Sequence, residues 1–137
     1  SQLLLIDGPP GTGCPLIAAL ASTDMVLAVT EPTLSGVHDL DRLVQVAERF
    51  GIPVRVVLNN ADLAPEGARR LREICQRQDL PIWAEIPYDP AFAGTLQAMS
   101  ADMQLQPQTD SVAWSAAAQV WKALARELDL PAKLATR

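Results

Sequence analysis

The stretch Leu3 to Pro15, LLLIDGPPGTGCP, decides how this sequence is read. An apolar run leads to Asp7, and a turn of glycine and proline follows: Gly8, Pro9, Pro10, Gly11, Thr12, Gly13. Such a turn begins like a phosphate loop, which cradles phosphate with backbone N–H groups and continues with Lys and then Thr or Ser. The next two residues here are Cys14 and Pro15.

A phosphate loop needs its Lys to neutralise the outer phosphates and its Ser or Thr to hold magnesium. The only lysines in the chain are Lys122 and Lys133, both near its C-terminal end. Pro15 also lacks a backbone N–H where the loop would use one. A decayed loop therefore has two separate losses to explain.

Reading outward from Asp7 gives a different element. A carboxylate ending an apolar strand can hold a water of the magnesium shell. Four residues on, Gly11 offers an N–H that no side chain shields from a γ-phosphate. In this reading the turn is a Walker B or switch II segment at the carboxyl end of a parallel strand, where ligands of α/β sheets lie. A Gly-Pro turn that merely joins two elements is the plain alternative.

Composition bounds the rest. A chain of 137 residues with 49% hydrophobic and 20% charged residues suits one globular domain with its own core. The net charge of -5, with no basic run, argues against a nucleic-acid surface. No run approaches the roughly 18 apolar residues of a membrane span, so no integral membrane segment is expected. Two well-separated cysteines, Cys14 and Cys75, make no disulfide framework and point to a cytoplasmic setting. The chain opens almost at once on a strand-like run, which suggests a piece of a longer protein.

Four apolar runs read as strands: Leu3–Asp7, Met25–Thr30, Val54–Asn59 and Ile82–Ile86. Most are continuous, as in strands covered on both faces of a parallel sheet. Between them lie helical patterns. A short helix is expected around 16–21. Leu40, Leu43, Val44, Ala47 and Phe50 form one stripe, which Gly51 and Pro53 terminate. Residues 65–78 form another, with Ala68, Leu71, Ile74 and Cys75 inward. Asp89-Pro90 reads as cap and first turn of a short helix. Residues 100–110 read as a linker, and 111–128 as a final helix with Val112, Ala116, Val120, Leu124 and Leu128 on one face. Such alternation predicts a three-layer α/β sandwich with a mainly parallel sheet.

Later strand ends carry polar groups compatible with a nucleotide. Asn59, Asn60 and Asp62 follow the third run, and an Asn amide can pair with an adenine edge by donating and accepting together. The stretch also resembles the NKxD box of GTPases, with Asn60 in place of the Lys. Pro87 and Tyr88 can pack on a base or ribose, and Asp89 can cap a helix. Glu31 and Thr33 face either the site or a partner subunit. His38, the sole histidine, reads as a surface or capping residue, and Cys14 as a small packing residue. Arg69, Arg70, Arg72 and Glu73 read as a solvated helix face.

Taken in order, IDGPPGTGCPLIAAL, TEPTLSGVHDLDR, VVLNNADL and IPYDPAF resemble the C-terminal half of MinD/ParA-type P-loop ATPases. The superfamily includes cobyrinic acid a,c-diamide synthase-like nucleotide domains. The GTGCP and TEPT-SG-HDL motifs are most like its MinD-like members with an inserted ferredoxin module carrying two 4Fe-4S clusters. The resemblance implies a partial P-loop NTPase fold over residues 1–99 without its N-terminal phosphate-loop unit, then the linker, then a C-terminal helix and tail over 111–137.

It further implies ATP and Mg2+ as cofactors and a homodimer as the assembled form. Asp7, near magnesium through water, and Gly11, the γ-phosphate sensor, would be the catalytic pair. Asn59 would contact adenine, flanked by Pro87, Tyr88 and Asp89. The phosphate loop and the cluster cysteines would lie before residue 1, so this chain alone is expected to be inactive while the full-length protein hydrolyses ATP. Three rival readings are a non-enzymatic α/β partner-binding module, an ATP-dependent cobyrinate-type amide synthase domain, and a GTPase.

Overall fold

Val54–Asn59 forms β2, the middle of a three-stranded parallel sheet in which β1 (Val26–Thr30) and β3 (Ile82–Ile86) flank it. The structure, a computed structural model, describes residues 3–8, 13–92, 94 and 111–130. The order along the chain is α1 (Cys14–Leu20), β1, α2 (Leu34–Arg49), β2, α3 (Pro65–Arg77), β3 and α4 (Val112–Glu127). Each parallel pair is thus joined through a helix, since parallel strands cannot be connected by a hairpin.

One face of the sheet meets α2 and α3. Val54, Val56 and Leu58 of β2 and Ala28 of β1 pack there with Leu40, Val44 and Ala47 of α2 and Ala68, Leu71 and Cys75 of α3. Burial pushes the Cys75 thiol upward, which keeps it a small protonated hydrophobe. Alternate residues of β2 point the other way. Arg55 pairs there with Glu127 of α4, and α4 packs on β3. The result is the expected layering: helices, parallel sheet, helix.

Helix ends follow local chemistry. Thr33 caps α2 by accepting from the Gly36 N–H at 3.0 Å, and Pro65 occupies the first turn of α3. Three helices finish on a left-handed residue, Gly51, Asp79 and Asp129, each followed by an N–H that returns to the last helical turn.

Several expectations need correction. Leu3–Asp7 is not a strand: residues 3–8 adopt no regular structure, with Leu4 81% and Leu5 72% exposed. These residues line a groove with β1, α1, α2 and the end of α4. A strand needs ladder partners as well as apolar side chains, and this run pairs with nothing among the described residues.

Only β2 is buried along most of its length; Val29 of β1 is exposed. Phe50 is 47% exposed because it lies past the last turn of α2, as its C-cap. In α4 the inward stripe runs through Ala113, Leu124 and Ala125, while Val112 is 60% exposed. Of the expected stripe Leu124 is buried and Ala116, Val120 and Leu128 are half-buried, so only Val112 departs from it; Ser111 is the N-cap, accepting from the Trp114 N–H at 3.0 Å. Helix α1 begins at Cys14, earlier than expected, and Cys14 is exposed, not packed. Pro15 sits in its first turn, where no N–H is needed. Gly11 and the 100–110 linker lie outside the described residues.

Candidate functional site

All three strands run the same way, so Thr30, Asn59 and Ile86 end on one edge of the sheet. Register confirms the level: Thr30 aligns with Leu58, and Asn59 with Ile86. The loops leaving these strands therefore meet above the carboxyl edge.

Two hydrogen bonds tie the loops together. The Asn60 side-chain amide donates to Glu31 Oε1 at 2.8 Å, joining the loops after β2 and β1. Asp62 Oδ1 accepts the Tyr88 N–H at 2.7 Å, joining the loops after β2 and β3. The Ala61 N–H to Ile86 carbonyl bond, 3.0 Å, supports the second junction. Asn60 can serve the first because its φ of 52° places it in the left-handed region, which Asn tolerates better than most residues.

The loop after β1 is pressed from below by two helices. Gly36 and Gly67 hold the third positions of α2 and α3. A methyl group at Gly36 would overlap the Glu31 carbonyl oxygen, and one at Gly67 would overlap that of Pro32. Thr30, buried, donates its hydroxyl to the Gly36 carbonyl at 3.1 Å.

Asp89 is committed to structure. Its Oδ1 accepts the Ala91 and Phe92 N–H groups at 3.0 and 3.3 Å, capping the helical turn that starts at Pro90. Its Oδ2 accepts the Ser111 hydroxyl at 2.6 Å. Ser111 in turn caps α4, so one carboxylate links two helix starts, and Phe92 packs on Trp114 with ring centroids 6.1 Å apart. The Ser111 hydroxyl and then the backbone N–H groups hold the Asp89 carboxyl below the usual range, against the opposing effect of burial.

Asn59 is different. Half-buried at the end of the central strand, its side-chain amide has no hydrogen-bond partner among the described residues. Its neighbours Asn60 and Asp62 are engaged in bracing, leaving Asn59 with a donor and an acceptor for a ligand. Tyr88 is 45% exposed beside it in the next loop.

The structure thus brings Asn59, Pro87, Tyr88 and Asp89 together. Asp7 is exposed and lines the groove beside β1 together with Thr30, the last residue of that strand. His38 is exposed within α2 and caps nothing. Arg69 pairs with Glu66 and Glu73 on the outer face of α3, and Arg72 reaches across to Glu85 of β3 at 2.7 Å on both oxygens. Sequence reasoning missed Asp62 and Asn60 as braces, because their partners lie on the loops after β3 and β1. Among the described residues no helix is long and apolar enough to cross a membrane.

A parallel sheet with helices on both faces, its loops meeting at the carboxyl edge, is the arrangement in which α/β proteins place their ligands. No protein-family model matches the chain. A solved structure described as a plasmid partition protein of Borrelia burgdorferi, bound to AMPPNP, superimposes with a TM-score of 0.59 at 13% identity, covering 86% of this chain and 45% of that one. The chain therefore has the fold of part of that protein.

Among curated relatives, an uncharacterized protein of Methanocaldococcus jannaschii is 42% identical over 59 residues, which is 43% of this chain and 21% of the relative. An uncharacterized ATP-binding protein of the same organism is 24% identical over 65% of this chain and 34% of its own length. A Chlorella vulgaris protein named as septum site-determining MinD is 28% identical over 64% of this chain and 33% of its own. The chain thus spans a fifth to a third of the relatives it matches. The sequence likenesses are thus to proteins named as ATP-binding and as MinD, and the structural likeness shows a shared α/β fold.

Proposed function

We propose that this chain forms the base-side and magnesium-side edges of an ATP site in a MinD/ParA-like ATPase. The observation that carries the proposal is Asn59: an amide ending the central strand with no partner among the described residues, between loops braced by Asn60 and Asp62. An adenine edge offers one donor and one acceptor, which that amide complements. Pro87 and the exposed Tyr88 would supply the packing surface. The ATP-binding relative and the AMPPNP-bound structural neighbour support the same ligand.

Asp7 has an exposed carboxylate free of hydrogen-bond partners among the described residues, which suits a ligand acting through water on magnesium. In this reading Gly11, outside the described residues, offers its N–H to the γ-phosphate. When bound, Mg2+ neutralises the triphosphate and ATP supplies the bond to be hydrolysed. The chain's own residues orient the base and the metal's water shell, so catalysis is positioning and charge placement. The segment from Asp7 to Gly13 would rearrange between ATP and ADP states, within a cytoplasmic homodimer.

The two cysteines do not fit a 4Fe-4S cluster: Cys14 is exposed on α1 and Cys75 is buried in the core. Any cluster in the whole protein would need other cysteines.

Calorimetric titration of the full-length protein with Mg·ATP tests the proposal. Asn59→Ala is expected to weaken binding by about tenfold, the worth of one or two hydrogen bonds. Unchanged affinity would remove Asn59 from the site.

A further inference from the structure

We propose that Glu31 holds the ribose of the bound nucleotide, its free carboxylate oxygen accepting a hydrogen bond from the sugar's pair of neighbouring hydroxyls. The assignment rests on the nucleotide reading above and extends it to the sugar.

Glu31 is the first residue past β1. The β1–β2 ladder ends at Thr30 and Leu58, so one step further along both chains places Glu31 beside Asn59, on strand paths about 4.8 Å apart. The backbone there is fixed. The Glu31 carbonyl accepts the Thr33 N–H at 2.8 Å, and Gly36 approaches the same oxygen so closely that a Cβ would overlap it. The side chain is aimed as well. Its Oε1 accepts the Asn60 amide at 2.8 Å, which turns the carboxylate toward the loop leaving the central strand. Oε2 has no partner among the described residues, and the side chain is exposed.

Each part of a nucleotide asks something different of such a group. Phosphate oxygens are anionic acceptors, which a carboxylate repels and to which it offers no proton. The base edge needs a donor together with an acceptor, which the Asn59 amide has and an ionised carboxylate lacks. A ribose presents two hydroxyl donors side by side. A carboxylate oxygen is their matching acceptor and forms a short, charge-assisted bond. Acidic side chains past strand ends take ribose hydroxyls in dinucleotide-binding α/β sheets.

Position across the sheet agrees with that chemistry. Along the carboxyl edge stand Tyr88 after β3, Asn59 ending β2, Glu31 after β1, and then the groove beside β1 that Asp7 lines with Thr30. Base, sugar and metal-bound phosphates follow one another in the same order along the nucleotide. Asn60 adds preorganisation: with one oxygen already held, the carboxylate loses less side-chain freedom when the sugar arrives.

The test is equilibrium binding of Mg·ATP and of Mg·dideoxy-ATP, which lacks both ribose hydroxyls, to the full-length protein and its Glu31→Ala and Glu31→Gln variants. Melting temperature is followed alongside. The unmodified protein is expected to prefer ATP by about tenfold or more, the worth of a hydrogen bond to a charged group. Glu31→Ala is expected to bring that preference within about threefold. Glu31→Gln keeps an oxygen for Asn60 and puts an amide nitrogen where Oε2 stood, so it should narrow the preference while the melting temperature holds. A Glu31 that only braces the loop would weaken both nucleotides alike and leave the preference unchanged.

An unmodified protein that binds the two nucleotides equally overturns the inference, as does a Glu31→Ala variant with the original preference. If Glu31→Ala does not fold, Glu31→Gln decides: a narrowed preference supports the inference, and an unchanged one overturns it. Binding of neither nucleotide by the unmodified protein instead overturns the functional reading beneath it.

Discussion

Asn60 hands its side-chain amide to Glu31 across 2.8 Å, bridging residues 29 positions apart and fastening the loop after β2 to the loop after β1. That geometry requires Asn60 to sit at φ 52°. A β-branched residue there would bear the left-handed strain, about 1–2 kcal/mol, and would lose the brace as well. Asn60→Val is therefore expected to lower unfolding free energy by about 2 kcal/mol, and Asn60→Gly by under about 1 kcal/mol because glycine adopts this conformation freely. Urea unfolding midpoints of the two variants compare them directly; equal losses would show that strain is not the deciding factor.

Gly36 and Gly67 invite the reverse of the usual helix rule. Alanine in a helix interior normally gains about 1 kcal/mol over glycine. Here a methyl group would overlap the Glu31 or Pro32 carbonyl oxygen, and crowding of rigid backbone costs about 1–3 kcal/mol. Crowding should win, so Gly36→Ala and Gly67→Ala are each expected to destabilise. A raised melting temperature in either would show that the helix start can slide away from the β1 loop.

Much of this architecture was readable from the residues. The apolar run Val54–Asn59 is a central strand, and the stripe Ala68, Leu71, Cys75 faces the core as its spacing requires. The failures share a cause. Leu3–Asp7 has strand composition, yet side-chain character says nothing about whether a neighbouring strand is present to share its backbone hydrogen bonds. Val112, placed inward by the apolar spacing, is exposed in the first turn of α4 while Ala113 beside it is buried, and two adjacent apolar residues do not tell which of them faces the sheet. At the site, the polar residues were evident in sequence. Their division of labour was not: nothing in NNAD tells which side chain is spent on bracing and which stays free. That depends on the loops from β1 and β3, which only folding brings alongside.

The Asp89–Ser111 junction predicts an acid-sensitive contribution to stability. Asp89 has its folded-state pKa depressed, first by the Ser111 hydroxyl. Its stabilising effect is therefore fully present above the unfolded value of about 3.9 and disappears as pH falls through the lower folded value. Asp89→Asn should differ most from the unmodified chain at pH 5 to 7, with the two stability curves converging below about pH 4. Curves that stay parallel down to the acid limit would remove the carboxylate from this role.

Catalysis should depend on more than this chain. With no Lys in the glycine turn, the 137-residue chain by itself is expected to show no ATP turnover. In the full-length protein Asp7→Ala is expected to reduce turnover by about 100-fold or more, as loss of a charge-positioning group does. Turnover by the isolated chain that Asp7→Ala abolishes would contradict the assignment of phosphate gripping to another segment.

The most direct test is a nuclear magnetic resonance titration of the full-length protein with Mg·AMPPNP, following the Asn59 side-chain amide and the backbone amides of Asp7, Gly8 and Tyr88. Saturable shifts of Asn59 and Tyr88 together with Asp7 and Gly8 are the predicted result. Nucleotide bound with those resonances unmoved, and with shifts confined to other parts of the protein, would place the ligand elsewhere and contradict the account.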